Sequence, residues 1–155
     1  MCNKLISRIC AFACLAVALM AVSCVGGRNR HVPTEHEVYV TSLTAADTAE
    51  VIARAKAVVE KIISGDVEGA LSGLGYVESD TLYPISSERI AAAANQFRKL
   101  GMNSASLENY TFENAENNTV KFRVSCGSSD GELFSTALAL NALKLEGAWY
   151  LTLKQ

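Results

Sequence analysis

Residues 120–126 read Val120-Lys121-Phe122-Arg123-Val124-Ser125-Cys126. Apolar and polar side chains alternate with a period of two, the spacing of a strand with one face in a core and the other in water. This stretch decides the fold, because the segments from Ser104 onward read as strands and the long segments before Gly101 read as helices. Downstream, Gly127-Ser128-Ser129-Asp130-Gly131 is turn-forming. Leu133 to Leu145 is a long strand, apolar on both phases, which predicts a bend or bulge near Asn141. Glu146-Gly147 turns the chain, and Trp149, Leu151 and Leu153 alternate in a last strand. Immediately upstream, Asn117-Asn118 marks a turn, and Ser106 to Glu113 reads as a strand with Tyr110 and Phe112 on one face.

Further upstream the period is helical. Val51, Ile52, Ala55, Val58, Val59, Ile62 and Ile63 recur at three- and four-residue intervals. Thr44 or Asp47 can cap that helix, and Gly65 can take the left-handed conformation that ends it. Asp66 is placed to cap a short second helix from Val67 to about Ser72. Gly73, Gly75 and the polar stretch to Pro84 predict a loop. A further helix starts at Ser86 or Ser87, carries Glu88 in its first turn and stops at Gly101; Ile90, Ala94, Phe97 and Gly101 mark its inward stripe, with Leu100 beside it. Val38-Tyr39-Val40 reads as a short lead-in strand. Helices first and an antiparallel meander after them give an α+β domain, with the helices on one face of a strongly curved sheet.

The first residues are an address. Lys4 and Arg8 precede an uninterrupted apolar run from Ile9 to Val22, 14 residues long. A membrane-spanning helix needs about 20 such residues, whereas a signal peptide needs only this many behind a positive end. The run ends Ala21-Val22-Ser23-Cys24, which resembles a lipobox with Ala21 in place of the usual leucine. That resemblance implies cleavage between Ser23 and Cys24 and lipidation of Cys24, so that two or more acyl chains anchor the product. Residues 1–23 are then the signal peptide, 24–37 the lipidated cysteine and a flexible tether, and 38–155 one domain. The tether holds Gly26-Gly27, Pro33 and scattered charges without periodicity. It has neither an acidic run after the cysteine nor an aspartate at position 25. The expected location is the envelope of a Gram-negative bacterium, on the outer membrane and facing the periplasm.

Removing Lys4 and Arg8 from the 14 basic residues leaves 12 against 16 acidic, a net charge of −4. Such a balance offers no electrostatic reason to bind nucleic acid. Of the five cysteines, Cys2, Cys10 and Cys14 fall in the signal and Cys24 takes lipid, so Cys126 is left without an intramolecular partner. Its apolar strand phase predicts a buried, inert thiol.

With these elements placed, the chain from about residue 45 to 155 resembles the nuclear-transport-factor-like superfamily, and within it the lipoprotein members described as DUF4878 domains. The resemblance is carried by the capped helix, by Ser64-Gly65-Asp66-Val67-Glu68-Gly69-Ala70-Leu71, and by the ending Leu145-Glu146-Gly147-Ala148-Trp149-Tyr150-Leu151. It implies a cone with a cavity at its open end. Relatives include isomerases, dehydratases and binding proteins, so fold does not settle activity. Some relatives pair through the outer face of the sheet; a homodimer is therefore a candidate assembly, although Lys121 and Arg123 on that face disfavour a large dry interface.

No catalytic set stands out. His31 and His36 lie in the tether, where a base cannot be held within reach of a substrate, and no Cys or Asp beside them completes a metal site. Glycine-rich phosphate loops and Gly-x-Ser-x-Gly are absent from the sequence. No cofactor is implied. Tyr76, Tyr83 and Tyr110 are the candidates for lining a cavity. Asp80-Thr81-Leu82 resembles an O-glycan acceptor of some secreted bacterial proteins, which makes Thr81 a candidate modification site. The expected function is a non-enzymatic binding module for a small apolar ligand or a partner protein. The alternatives are a cone enzyme using a buried carboxylate and a structural lipoprotein.

Overall fold

The computed structural model describes residues 32–79, 81–127 and 131–153. The chain divides into two units after Val32, and the second, Pro33–Gln155, forms the folded body. Its elements in chain order are α1 (Glu35–Ser42), α2 (Ala45–Ile63), α3 (Val67–Leu71), β1 (Gly75–Glu78), β2 (Thr81–Pro84), α4 (Ser87–Leu100), β3 (Met102–Phe112), β4 (Asn118–Gly127), β5 (Leu133–Leu145) and β6 (Ala148–Leu153). The six strands form one curved sheet in the order β2-β1-β6-β5-β4-β3. All pairings are antiparallel except β1 with β6, which touch at Gly75 and Thr152. The architecture is α+β, helices followed by a mostly antiparallel sheet, as the order of periodicities predicts.

The core lies where β4 predicts it. Asn118, Val120, Phe122, Val124 and Cys126 are buried while their neighbours are not. Leu140 and Ala142 of β5 and Trp149 and Leu151 of β6 share that cluster. The helices cover it with Val51, Ala55, Val58, Val59 and Ile62 of α2, Val67, Ala70 and Leu71 of α3, and Ala94 of α4. Each fully buried Val, Leu, Ile or Phe contributes about 1.5–3 kcal/mol relative to exposure. That gain is what pins α2 across the sheet.

Helix ends follow the predicted chemistry. Thr44 and Asp47 form a reciprocal capping box at the start of α2, Asp66 caps α3, and Ser86 caps α4. Gly101 ends α4 at φ +54°, where an added Cβ would lie 2.6 Å from the carbonyl oxygen of Gly127. Only glycine fits a left-handed backbone pressed this closely on a neighbouring strand.

Three expectations are corrected. Val38-Tyr39-Val40 is not a strand but the middle of α1, which also takes in Glu35, His36 and Glu37 of the expected tether. The cause is a second capping box: the Thr34 hydroxyl accepts from the Glu37 amide, and the Glu37 carboxylate accepts from the Thr34 amide. The stretch from Gly75 to Pro84 is not a loop but the β1–β2 hairpin, with Tyr76 opposite Tyr83 and Val77 opposite Leu82. Nor is there a bulge near Asn141, since β5 keeps register with β4 and β6 throughout that region. The register shifts fall in β3 instead, at Met102/Ser104 and Leu107/Asn109. β5 tolerates two apolar phases because Leu140, Ala142 and Leu143 are buried on opposite faces, while Leu133 and Phe134 at its other end are exposed.

Candidate functional site

An apolar hollow of the body lies between α3, α4, β1 and the end of β6. Its volume is about 210 Å³, and it is lined by Leu71, Gly75, Tyr76, Ile85, Arg89, Ile90, Ala93 and Leu153. Arg89, Ile90 and Ala93 project together because residues three and four apart share a helix face. Of the predicted α4 stripe Ala94 is fully buried, while Ile90 and Phe97 are partly buried against the core. A second, polar hollow of about 390 Å³ adjoins it and shares Tyr76, Arg89 and Leu153. Glu116, Asn117, Asn141 and Thr152 furnish its polar wall.

The two hollows meet at a cation and a ring. The Arg89 guanidinium carbon lies 5.6 Å from the centre of the Tyr76 ring, within the range of cation–π attraction. Tyr83 stacks on the other strand of the hairpin, its ring centre 5.6 Å from that of Tyr76. Of the predicted cavity residues, Tyr76 therefore lines the site. Tyr83 buttresses it from behind and faces a separate groove with Pro84 and Tyr150. Tyr110 lies on the edge strand β3, half exposed, edge-on to Phe112. The three tyrosines do not converge. Thr81 is exposed at the start of β2, with its hydroxyl 3.5 Å from the Ser79 carbonyl oxygen. Ser23 and Cys24, and Asp80 of the glycan motif, lie outside the described residues.

A second polar centre sits on the inner face, near the start of α2. One oxygen of Asp47 accepts from Lys144 Nζ at 2.7 Å and from Trp149 Nε1 at 2.9 Å. The other accepts from the amide and hydroxyl of Thr44, at 2.9 and 2.6 Å. The hydrogen bonds from Lys144 and Thr44 hold the Asp47 carboxyl well below the usual carboxylate range. An acid this firmly ionised, with both oxygens engaged, neither donates nor takes up a proton near neutrality. Asp47 is thus the predicted cap and also the acceptor that satisfies the indole of the buried Trp149.

Nearby, Asn118 is fully buried. Its oxygen accepts from Tyr39 Oη and from the Glu113 amide, both at 3.1 Å, and its Nδ2 donates to the Ala142 carbonyl at 2.9 Å. Burial raises the Tyr39 pKa. His36 Nδ1 lies 3.2 Å from the Glu113 carbonyl oxygen, so this nitrogen carries a proton in that contact. These bonds tie α1, which buries no residue of its own, to the β3–β4 turn. Cys126 is wholly buried, and burial pushes its thiol up.

Sequence reasoning missed Arg89, Ile85, Ala93 and Leu153 as wall residues. Ile90 was legible only as an inward position, because a stripe does not say whether a side chain meets an atom or a void. No protein-family model matches the sequence, and neither does any curated protein. Among solved structures, the chain is similar to an NTF-2 like protein of unknown function from Shewanella oneidensis, at 15% identity over 68% of this chain and 93% of that one, with a TM-score of 0.46. It is also similar to Aln2 from a Streptomyces species, at 14% identity over 72% and 93% of the two chains, with a TM-score of 0.45.

Proposed function

We propose that this chain is an envelope lipoprotein, anchored through Cys24, whose nuclear-transport-factor-like domain of DUF4878 type binds a small, largely apolar ligand. The carrying observation is the hollow of about 210 Å³ walled by Leu71, Ile85, Ile90, Ala93 and Leu153. Apolar hollows with a few placed polar groups are the usual form of small-molecule sites, and an engineered cavity of about 150 Å³ already takes up benzene. Leu71 and Leu153 belong to packed elements, so the wall is preformed and little ordering opposes binding. The engagement of both Asp47 oxygens speaks for a binding role over acid–base chemistry. The anchor is supported by Ala21-Val22-Ser23-Cys24 at the end of the apolar leader, and an outer-membrane, periplasm-facing location goes with it.

Binding is tested by titrating 1-octanol into the full chain and following amide and methyl shifts by NMR. Shifts should cluster at Ile85, Ile90, Ala93 and Leu153, and Ala93→Leu, which fills the hollow, should abolish them. Equal binding to the Ala93→Leu protein would remove this site from consideration. Intact-mass analysis of the product from a Gram-negative host tests the anchor: the proposal requires loss of residues 1–23 and an acylated Cys24, and an intact leader refutes it.

A further inference from the structure

The arginines of the body differ in one respect. Arg54 is paired with Glu50, Arg98 with Glu68 and Arg123 with Glu108. Arg89 has no carboxylate partner among the described residues; its side chain rests against the Tyr76 ring. It stands at the junction of the apolar and polar hollows and lines both. The amide groups beside it are already committed. Asn141 accepts from the Asn118 amide and donates to the Glu116 carbonyl, and Asn117 donates to the Glu113 carboxylate. The charge that the polar hollow offers to a ligand anion is therefore that of Arg89.

We propose that the ligand is an amphiphilic monocarboxylate, its chain seated among Leu71, Ile85, Ile90, Ala93 and Leu153 and its head group on Arg89. This rests on the ligand-binding reading above. A planar guanidinium offers two parallel N–H donors matched to the two oxygens of a carboxylate. Scaling from the benzene-sized cavity of about 150 Å³, the hollow holds roughly eight carbon atoms. Glu116 on the polar wall repels an anion in proportion to its charge, so it opposes a polyanion more than a single carboxylate. The Tyr76 ring keeps the guanidinium at the junction without neutralising it, so the cation stays available.

Calorimetric titration of octanoate and of 1-octanol into the full chain separates the two levels of the claim. Octanoate should bind more tightly than 1-octanol, and its advantage should shrink at high salt. Arg89→Gln should weaken octanoate on the order of fivefold more than it weakens 1-octanol, since the pair is solvent-accessible. Arg89 is exposed, so the variant keeps its fold, which circular dichroism checks. If 1-octanol matches octanoate, or Arg89→Gln weakens both alike, the carboxylate claim is wrong and the apolar site survives. If neither probe binds, the ligand-binding reading falls and takes this inference with it.

Discussion

Asn118→Ala is the substitution whose consequences follow most directly from the geometry. It removes a side chain that makes three hydrogen bonds from a fully buried position. The Ala142 carbonyl of β5 then loses this donor, while the Glu113 amide of the β3–β4 turn keeps the Asn117 carbonyl as its acceptor. A stranded buried polar group costs about 1–3 kcal/mol, and an ordinary lost hydrogen bond about 1 kcal/mol. With the Ala142 carbonyl taken at the middle of that range and the other two bonds at about 1 kcal/mol each, the loss comes to about 4 kcal/mol, or a fall in Tm of about 10 °C or more for a domain of this size. Tyr39→Phe removes a single partly buried bond and should cost about 1 kcal/mol. In the double variant the Tyr39 effect should largely vanish, because its acceptor is already gone. The assay is urea unfolding of the four proteins, read by far-ultraviolet circular dichroism. The midpoint should move with the slope unchanged. A loss below about 1 kcal/mol for Asn118→Ala, or strict additivity with Tyr39→Phe, would refute the reasoning that Asn118 joins α1 and the turn to the sheet.

Three further outcomes are expected. The stability that Asp47 supplies is complete above its unfolded pKa of about 3.9 and is lost as pH falls through its depressed folded value; Asp47→Asn should therefore flatten the acid limb of a stability–pH curve. Glu68 is lowered in the same sense by Arg98 and remains in that variant, so an unchanged limb would mean that Asp47 is not the group responsible. Gly101→Ala forces a left-handed alanine against the Gly127 carbonyl, and thermal unfolding should show a loss of about 2 kcal/mol or more, against about 1 kcal/mol for Gly65→Ala, which meets nothing. Brief alkylation of the native chain followed by peptide mapping should leave Cys126 unmodified until denaturant is added, since its thiol is buried and its thiolate disfavoured.

What could be read directly were patterns whose cause is local. The period of two at Val120–Cys126 depends only on alternating side-chain direction, and the whole of β4 follows from it. The helical stripe of α2, the caps at Thr44, Asp66 and Ser86, and the helix stop at Gly101 likewise need only neighbours in the chain. The cap of α1 was equally local, in Thr34-x-x-Glu37, but the β-branched and aromatic run Val38-Tyr39-Val40 spoke for a strand, and the capping box outweighed it.

Tertiary structure decided the rest. The β1–β2 hairpin fully buries none of its own apolar residues and is held by adding its first strand beside β6, a contact 77 residues away in the chain between Gly75 and Thr152. Asp47 reads as a cap from sequence, yet its link to Lys144 and Trp149 spans about a hundred residues. The hollow is the clearest case. Residues of α3, α4, β1 and β6 face one another only after the sheet curves, and a gap between surfaces has no pattern along any single one of them. Composition and period state which side chains turn inward; whether they meet each other or enclose a space is settled only when all four elements are in place.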